Sequence, residues 1–326
     1  MRVLVTGAAG MVGRKLAERL AHEGALGGEA LSQLMLLDTV EPATPDAAAR
    51  AVECVVGDLA APGTLARLIA DRPDVVFHLA AVVSGEAESD FDKGYRVNLE
   101  GMRLLLDAIR GQGDAYRPRV VFSSSIAVFG PPFPDVIGDD QATTPQTSYG
   151  TQKAVAELLL ADHSRRGLAD GVSIRLPTIC VRPGAPNRAA SGFFSSIIRE
   201  PLNGEEAILP VPEDVRHWFA SPRTAVGFLL HAATLPRDAL VGRRSLTMPG
   251  VSATVGEQIA ALRAIGGDEA VRLIRREPDE TIMRIVGGWP QAFDARCALE
   301  LGFTAEESFE QIVRIHVEDE IGSRVA

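Results

Sequence analysis

Tyr149 and Lys153 stand four residues apart, so on a helix the phenol and the ammonium share a face. The chain holds only three tyrosines and three lysines, which makes the pairing informative. A free phenol titrates near ~10 and is a poor base at neutral pH. A nearby ammonium stabilises the phenolate and lowers that value. Three hydroxyls, Ser123 to Ser125, close an apolar run upstream, and Ser125 is the best placed of them to hydrogen-bond a substrate oxygen. This set can take a proton from an alcohol while a hydride leaves the same carbon for a nicotinamide. The plain alternative is a Tyr and a Lys on a partly exposed helix face.

That chemistry needs a dinucleotide, and the first thirteen residues, MRVLVTGAAGMVG, offer a place for one. Arg2 to Val5 reads as a buried strand and Met11 to His22 as a helix. Between them, Gly7 permits a sharp turn, Gly10 lets a pyrophosphate approach the backbone, and Gly13 lets the helix press on the sheet. The N–H groups of the first turn, around Met11 and Val12, then face the phosphates. A tight turn without ligand is the alternative, since glycine is common here and the spacing G-x-x-G-x-x-G is not the usual one. Leu34 to Asp38 reads as the next strand. Asp38 at its end can accept both ribose hydroxyls of an adenosine and would repel a 2′-phosphate, which favours NAD over NADP.

The other elements follow in order. Strands are expected at Val52 to Asp58, Asp74 to Ala81, Arg119 to Ser125, Val172 to Pro177 and Arg243 to Met248. Helices are expected at Thr64 to Ala70, Tyr95 to Arg110 (with Asn98 near its start), Tyr149 to His163, Gly192 to Arg199, Thr224 to Ala233, Ser252 to Ile265 (capped near Ser252) and Ser308 to Asp319, with a strand at Val271 to Arg275. The alternation in the first half implies a parallel sheet covered on both faces, with ligand groups at the C-terminal ends of its strands, where Gly7, Asp38, Asp58, Ala80, Ser125 and Pro177 fall.

Hydrophobic residues make up 46% of the 326, enough to build a sizeable core. The net charge of −10 and the lack of a basic tract argue against nucleic acid and acidic membrane surfaces. An anionic substrate must therefore meet local arginines. Three cysteines without C-x-x-C spacing suggest neither a disulfide framework nor a metal site. With no signal peptide and no run of eighteen apolar residues, a cytoplasmic protein is expected.

Taken together, Thr6 to Gly13, Gly57-Asp58, His78 to Ala81, Val97-Asn98, Ser123 to Ser125 and Tyr149-x-x-x-Lys153 resemble the extended short-chain dehydrogenases/reductases, the NAD-dependent epimerase/dehydratase family. The resemblance implies an α/β fold with a doubly wound parallel Rossmann sheet and a smaller mixed C-terminal substrate lobe. It implies that Ser125, Tyr149 and Lys153 are catalytic and that Lys153 also binds the nicotinamide ribose. Asn98 would support that site, Asp58 and Leu59 would flank the adenine, and Leu79, Ala80, Ala81, Ser123 and Pro177 would line the cofactor. It also makes a homodimer plausible, through the helices bearing Asn98 and Tyr149.

The dinucleotide domain is expected at 1–177, with 221–250 returning to it, and the substrate lobe at 178–220 and 251–326. Arg216 to Arg223, RHWFASPR, lacks the two acidic positions usual in nucleotide-sugar epimerases, which argues against a nucleotide sugar. Ala81 to Asp92, Gly192 to Leu202 and Gly288 to Arg296 instead resemble the branch of the family that oxidises the C2 hydroxyl of the four-carbon sugar acid D-erythronate with NAD. A small acid needs a cationic fork, which arginine supplies. Arg182 is the first candidate, with Arg188 and Arg216 behind it, though each could equally form a surface ion pair. Ser84 and Ser191 could serve substrate hydroxyls, and His217 and Trp218 either shape the pocket wall or simply pack. The rival readings are a sugar epimerase or dehydratase that retains its cofactor, and a noncatalytic NAD-binding protein.

Overall fold

The apolar runs of the first half become strands of one sheet in the computed structural model, which describes residues 1–46, 51–184, 190–240 and 242–322. In chain order they are β1 (Arg2–Thr6), β2 (Gln33–Asp38), β3 (Ala51–Val56), β4 (Val75–His78), β5 (Arg119–Ser125), β6 (Asp170–Leu176) and β7 (Ser245–Thr247). Their spatial order is β7-β6-β5-β4-β1-β2-β3, and the sheet is parallel. Val5 of β1 lies opposite Leu36 of β2 on one side and Phe77 of β4 on the other. The chain therefore builds outward from β1 in one direction and then returns to its other side. The crevice between the ends of β1 and β4 is the switch point where such sheets take ligands.

Helices α1 (Met11–Glu23), α2 (Thr64–Ala70), α3 (Gly101–Gly111) and α4 (Ser148–Arg165) connect these strands. Helix α3 buries Met102, Leu105, Leu106 and Ile109, a stripe at helical spacing, in one core with Leu4, Val76, Val120 and Phe122. Each such side chain contributes about 1.5–3 kcal/mol on burial, which outweighs the ~1 kcal/mol that a helical glycine costs. The chain leading into α3 is not the single helix expected from Tyr95 to Arg110. Residues Tyr95–Glu100 are a π-helix, with Gly101 N bonded to Arg96 O five residues back, and Asn98 sits inside it. The polar stretch after α1 is a small hairpin, Ala25–Leu26 with Glu29–Ala30, turned by Gly27 and Gly28 at positive φ.

Two compact units emerge: Met1–Val128, Pro145–Arg175 and Val226–Thr247 form one, and Phe129–Thr144, Leu176–Ala225 and Met248–Ala326 the other. The segment Phe129–Thr144, expected within the dinucleotide domain at 1–177, belongs to the second unit. There, Ile137–Gly138 pairs with Phe293–Asp294. A three-stranded sheet places Arg216–Ala220 between Thr178–Ile179 and Val251–Thr254. Helices Gly192–Leu202, Val255–Arg272 and Phe309–His316 enclose Phe194, Phe219, Ile259, Leu262 and Ile312 with it. Ser252 does not cap a helix. Residues Val251–Thr254 are a strand, and the cap is Thr254, which exchanges capping-box bonds with Glu257. The strand expected at Val271 to Arg275 is Ile274–Arg276, because a further helical stretch beyond the break at Gly267 (φ +74°) runs on to Arg272.

Candidate functional site

The glycine turn is built for close backbone approach. Gly7 has φ +76°, and a Cβ there would lie 2.6 Å from Ala80 N. A Cβ on Gly13 would overlap the carbonyl oxygen of Gly7. Gly10 differs, since its Cβ would meet nothing closer than Gly7 O at 3.3 Å. Gly10 is the N-cap of α1, no side chain caps that helix, and its first turn carries no acid. Space and N–H donors together form a cradle that fits a pyrophosphate. Met11 and Val12, the first residues of α1, are half-buried beside it.

The strand ends around that cradle carry the other expected residues. Asp38 ends β2. Its Oδ2 accepts from Ala9 N at 2.9 Å and its Oδ1 from Thr39 N at 2.7 Å. Its Oδ1 also accepts from Thr39 Oγ1 at 3.3 Å, and a carboxylate has about four acceptor sites, so capacity remains for a ribose hydroxyl. Asp58 lies two residues past β3, accepts from Ala60 N at 2.8 Å and pairs with Arg96. Burial raises its pKa, but the Arg96 hydrogen bond, the Ala60 N–H and the Arg96 charge together outweigh that and leave it below the usual carboxylate range. Leu59 is buried against Gly101. Leu79 N donates to Thr6 O at 3.1 Å, which seats the Leu79–Ala81 turn beside Gly7.

Helix α4 and strand β5 carry the residues expected to react. Thr147 caps α4 through Gly150 N at 3.0 Å. A Cβ on Gly150 would overlap the Ala127 carbonyl, so the absence of a side chain lets the Tyr149 turn close on the end of β5. Lys153 is buried, its Nζ donates to Ser123 O at 2.7 Å, and it stands 5.6 Å from the centre of the Tyr149 ring. Burial pushes its pKa down to about 7, against an upward pull from Glu157. Ser125 Oγ accepts from Ala127 N at 3.1 Å, and Ser123 Oγ donates to His78 O at 3.3 Å. Ser125, Tyr149, Lys153, Ser123 and Asn98 thus share the first unit with the glycine turn, as does Ser84, half-buried at the start of helix Ser84–Ser89.

Gln152, Glu157 and His78 have no role assigned from the sequence; the first of them meets the expected Asn98. Asn98 Oδ1 accepts from Val82 N at 2.7 Å, while its Nδ2 donates to Val82 O and to Gln152 Oε1. The backbone of Val82 fixes the orientation of the Asn98 amide, which in turn makes Oε1 the Gln152 atom that faces it. Glu157, four residues after Lys153, accepts from Ser124 Oγ at 2.5 Å and takes a forked bond from Arg175. Its spacing from Tyr149 and Lys153 was a readable signal, but its partners were not. His78 Nδ1 bonds Thr6 Oγ1, and burial together with the Lys153 charge drops its pKa to about 3.

Pro177, Arg182 and Ser191 lie in the second unit. Arg182 N donates to Ser195 Oγ, and Ser191 is the N-cap of helix Gly192–Leu202. Arg216 is committed to Ser252 O and Glu257, the ion-pair alternative left open for it. Arg188 lies outside the described residues. His217 packs in the core. Its Nδ1 bonds Pro290 O, its Nε2 bonds Thr178 Oγ1, and burial lowers its pKa to about 4. Trp218 is likewise buried, with Nε1 on Met248 O. Among the described residues no group of three or more His, Cys, Asp or Glu could hold a metal ion, and no helix is long and apolar enough to cross a membrane.

Residues 3–235 match the NAD dependent epimerase/dehydratase family. The chain is 47% identical over 323 residues to a D-erythronate dehydrogenase of Cupriavidus necator, covering 98% of each chain. It is 42% identical over 318 residues to a D-erythronate dehydrogenase of Haemophilus influenzae, covering 98% of this chain and 99% of that one. A crystal structure described as a nucleoside-diphosphate-sugar epimerase from Agrobacterium tumefaciens superposes with a TM-score of 0.96 at 61% identity, covering 99% of this chain and 95% of that one.

Proposed function

The chain belongs to the NAD dependent epimerase/dehydratase family, and from that premise we propose that it oxidises the C2 hydroxyl of a small sugar acid, D-erythronate, to the 2-keto acid with NAD. The observation that carries the chemistry is the set at α4 and β5, with Lys153 fixed on Ser123 O between the Tyr149 ring and the serine run. The substrate rests on near-full-length likeness to two D-erythronate dehydrogenases.

In this reading Gly7, Gly10 and Gly13 with the N–H groups of α1 hold the pyrophosphate, and Asp38 holds the adenosine ribose. Lys153 uses one of its three donors on Ser123 and offers the others to the nicotinamide ribose and the Tyr149 oxygen. Ser125 hydrogen-bonds the reacting hydroxyl, and Tyr149 removes its proton. A nicotinamide held by Lys153 and the Leu79–Ala81 turn would supply the acceptor for the C2 hydride. Arg182 takes the carboxylate, and Ser84 and Ser191 the remaining hydroxyls. We assign the protein to the cytoplasm, and to a homodimer through the helices bearing Asn98 and Tyr149, around which Phe91 and Leu158 are exposed.

The name of the Agrobacterium relative favours an epimerase. Against it stand the likeness to two D-erythronate dehydrogenases over nearly the full chain and the stretch Arg216 to Arg223, which lacks the two acidic positions usual in nucleotide-sugar epimerases. A side-by-side assay of erythronate, threonate, uronates and UDP-sugars with NAD decides between the two. Net NADH formation with erythronate supports the dehydrogenase. Tightly retained NAD, no net NADH and an epimerised UDP-sugar would replace it.

A further inference from the structure

Tyr149, Lys153 and Glu157 recur every fourth residue along α4, so the three side chains follow one another down one face. The first two belong to the chemistry proposed above. Glu157 is buried and touches no expected ligand position. Its Oε1 accepts from Ser124 Oγ at 2.5 Å, and its two oxygens take a forked pair of bonds from Arg175 of β6. Ser124 is the middle serine of the run. The residue before it presents the carbonyl that holds Lys153, and the residue after it is Ser125.

We propose that Glu157 is a positioning residue: gripped by Arg175 and bonded to Ser124, it fixes the serine strand against the helix that carries Tyr149 and Lys153. Three observations make this more than a buried ion pair. The bond to Ser124 runs between the two elements whose relative placement sets the hydroxyl-to-phenol geometry. A shift of β5 along α4 would break the Lys153 bond to Ser123 and the Glu157 bond to Ser124 together. Arg175 also satisfies the remaining carboxylate lone pairs, as a buried charge requires. The groups facing Lys153 are Tyr149 and Glu157 on its own helix and His78 on β4, which burial keeps neutral; Arg175 stands behind Glu157 on β6. Glu157 is the negative charge that supports the ammonium.

The inference rests on the catalytic roles proposed for Ser125, Tyr149 and Lys153, but it can be tested without substrate. The chain has three lysines, Lys15, Lys93 and Lys153, and only Lys153 is buried. Lysine labelled with 13C at Cε therefore gives three signals whose pH titrations can be followed in the NAD-free protein. In Glu157→Gln the acceptor to Ser124 is kept and the charge is lost. The expected result is a Lys153 midpoint below that of wild type, because Arg175 now goes unopposed, with kcat reduced about tenfold or more and NAD affinity kept. Ser124→Ala removes the grip but keeps the charge. It should leave the Lys153 midpoint in place and lower kcat about threefold or more, with substrate KM little changed. A folded Glu157→Gln protein with a wild-type Lys153 midpoint overturns the proposal, as does Ser124→Ala with wild-type kcat. If no sugar acid is turned over but the midpoint falls in Glu157→Gln, the substrate assignment fails and the Glu157–Lys153 coupling stands.

Discussion

Gly150 and the Ala127 carbonyl are packed so closely that a methyl group on the glycine would overlap the oxygen. This contact joins the residue after Tyr149 to the backbone two residues past Ser125, so it sets the distance between the proposed base and the hydroxyl that holds its substrate. Replacing Gly150 with Ala should push the α4 N-terminus outward. The expected stability loss is ~1–3 kcal/mol, typical of overpacking. The larger effect is a fall in kcat of ~10- to 100-fold from misalignment, with NAD affinity changed little. Urea unfolding, calorimetric NAD titration and steady-state kinetics read the three separately.

Two glycines of the opening turn should respond differently to the same substitution. Gly13→Ala drives a methyl into Gly7 O and should lower both the melting temperature and NAD affinity. Gly10→Ala meets only a 3.3 Å contact, so the protein should fold near normally while NAD affinity drops about tenfold or more, the methyl standing where the pyrophosphate approaches. Equal loss of melting temperature in both variants would contradict the separate roles.

Lys153 imposes a pH dependence on stability. Its pKa is pushed down to about 7 in the folded chain, against about 10.4 unfolded. Between those values the unfolded chain holds a proton that the folded one has released, so this group makes stability rise with pH across that window. Its destabilising contribution is complete below about pH 7 and fades toward ~10.4. Urea unfolding of wild type and Lys153→Met from neutral to alkaline pH should show the rise in wild type and a flatter line in the variant.

On the acid side His217 acts in the same direction. Burial lowers its pKa to about 4, from about 6.5 unfolded, so stability should fall as pH drops through that interval. His217→Phe loses the bonds to Thr178 and Pro290. It should be less stable at neutral pH by ~1–3 kcal/mol and lose less on acidification than wild type does. Chemical denaturation at several pH values checks both.

Elements marked by strong local patterns were legible in the sequence. Helix α2 and strand β5 have the bounds their apolar spacing predicts, Thr64–Ala70 and Arg119–Ser125. The close approaches at Gly7 and Gly13 could be read because a Cβ at either would run into backbone. What escaped depends on partners distant in the chain or on backbone detail. The π-helix at Tyr95–Glu100 differs from an α-helix by one residue in hydrogen-bond register, and side-chain periodicity over six residues does not resolve that. The strand Val251–Thr254 is defined by its neighbour Arg216–Ala220, so the apolar pattern running into the next helix hid it and moved the cap from Thr254 to Ser252. His217 could line a pocket or pack a core until its partners Thr178 and Pro290, thirty-nine and seventy-three positions away, were in place. Gln152 and Glu157 were visible as helix residues, but Asn98, Ser124 and Arg175, which give them meaning, come from other elements.

The central claim is that the Tyr149 phenol takes the proton from the C2 hydroxyl, and Tyr149→Phe tests it most directly. With D-erythronate and saturating NAD, NADH formation should fall by at least about a thousandfold, while calorimetry shows NAD bound about as tightly as by wild type. A Tyr149→Phe protein that reduces NAD with erythronate at the wild-type rate would contradict the account.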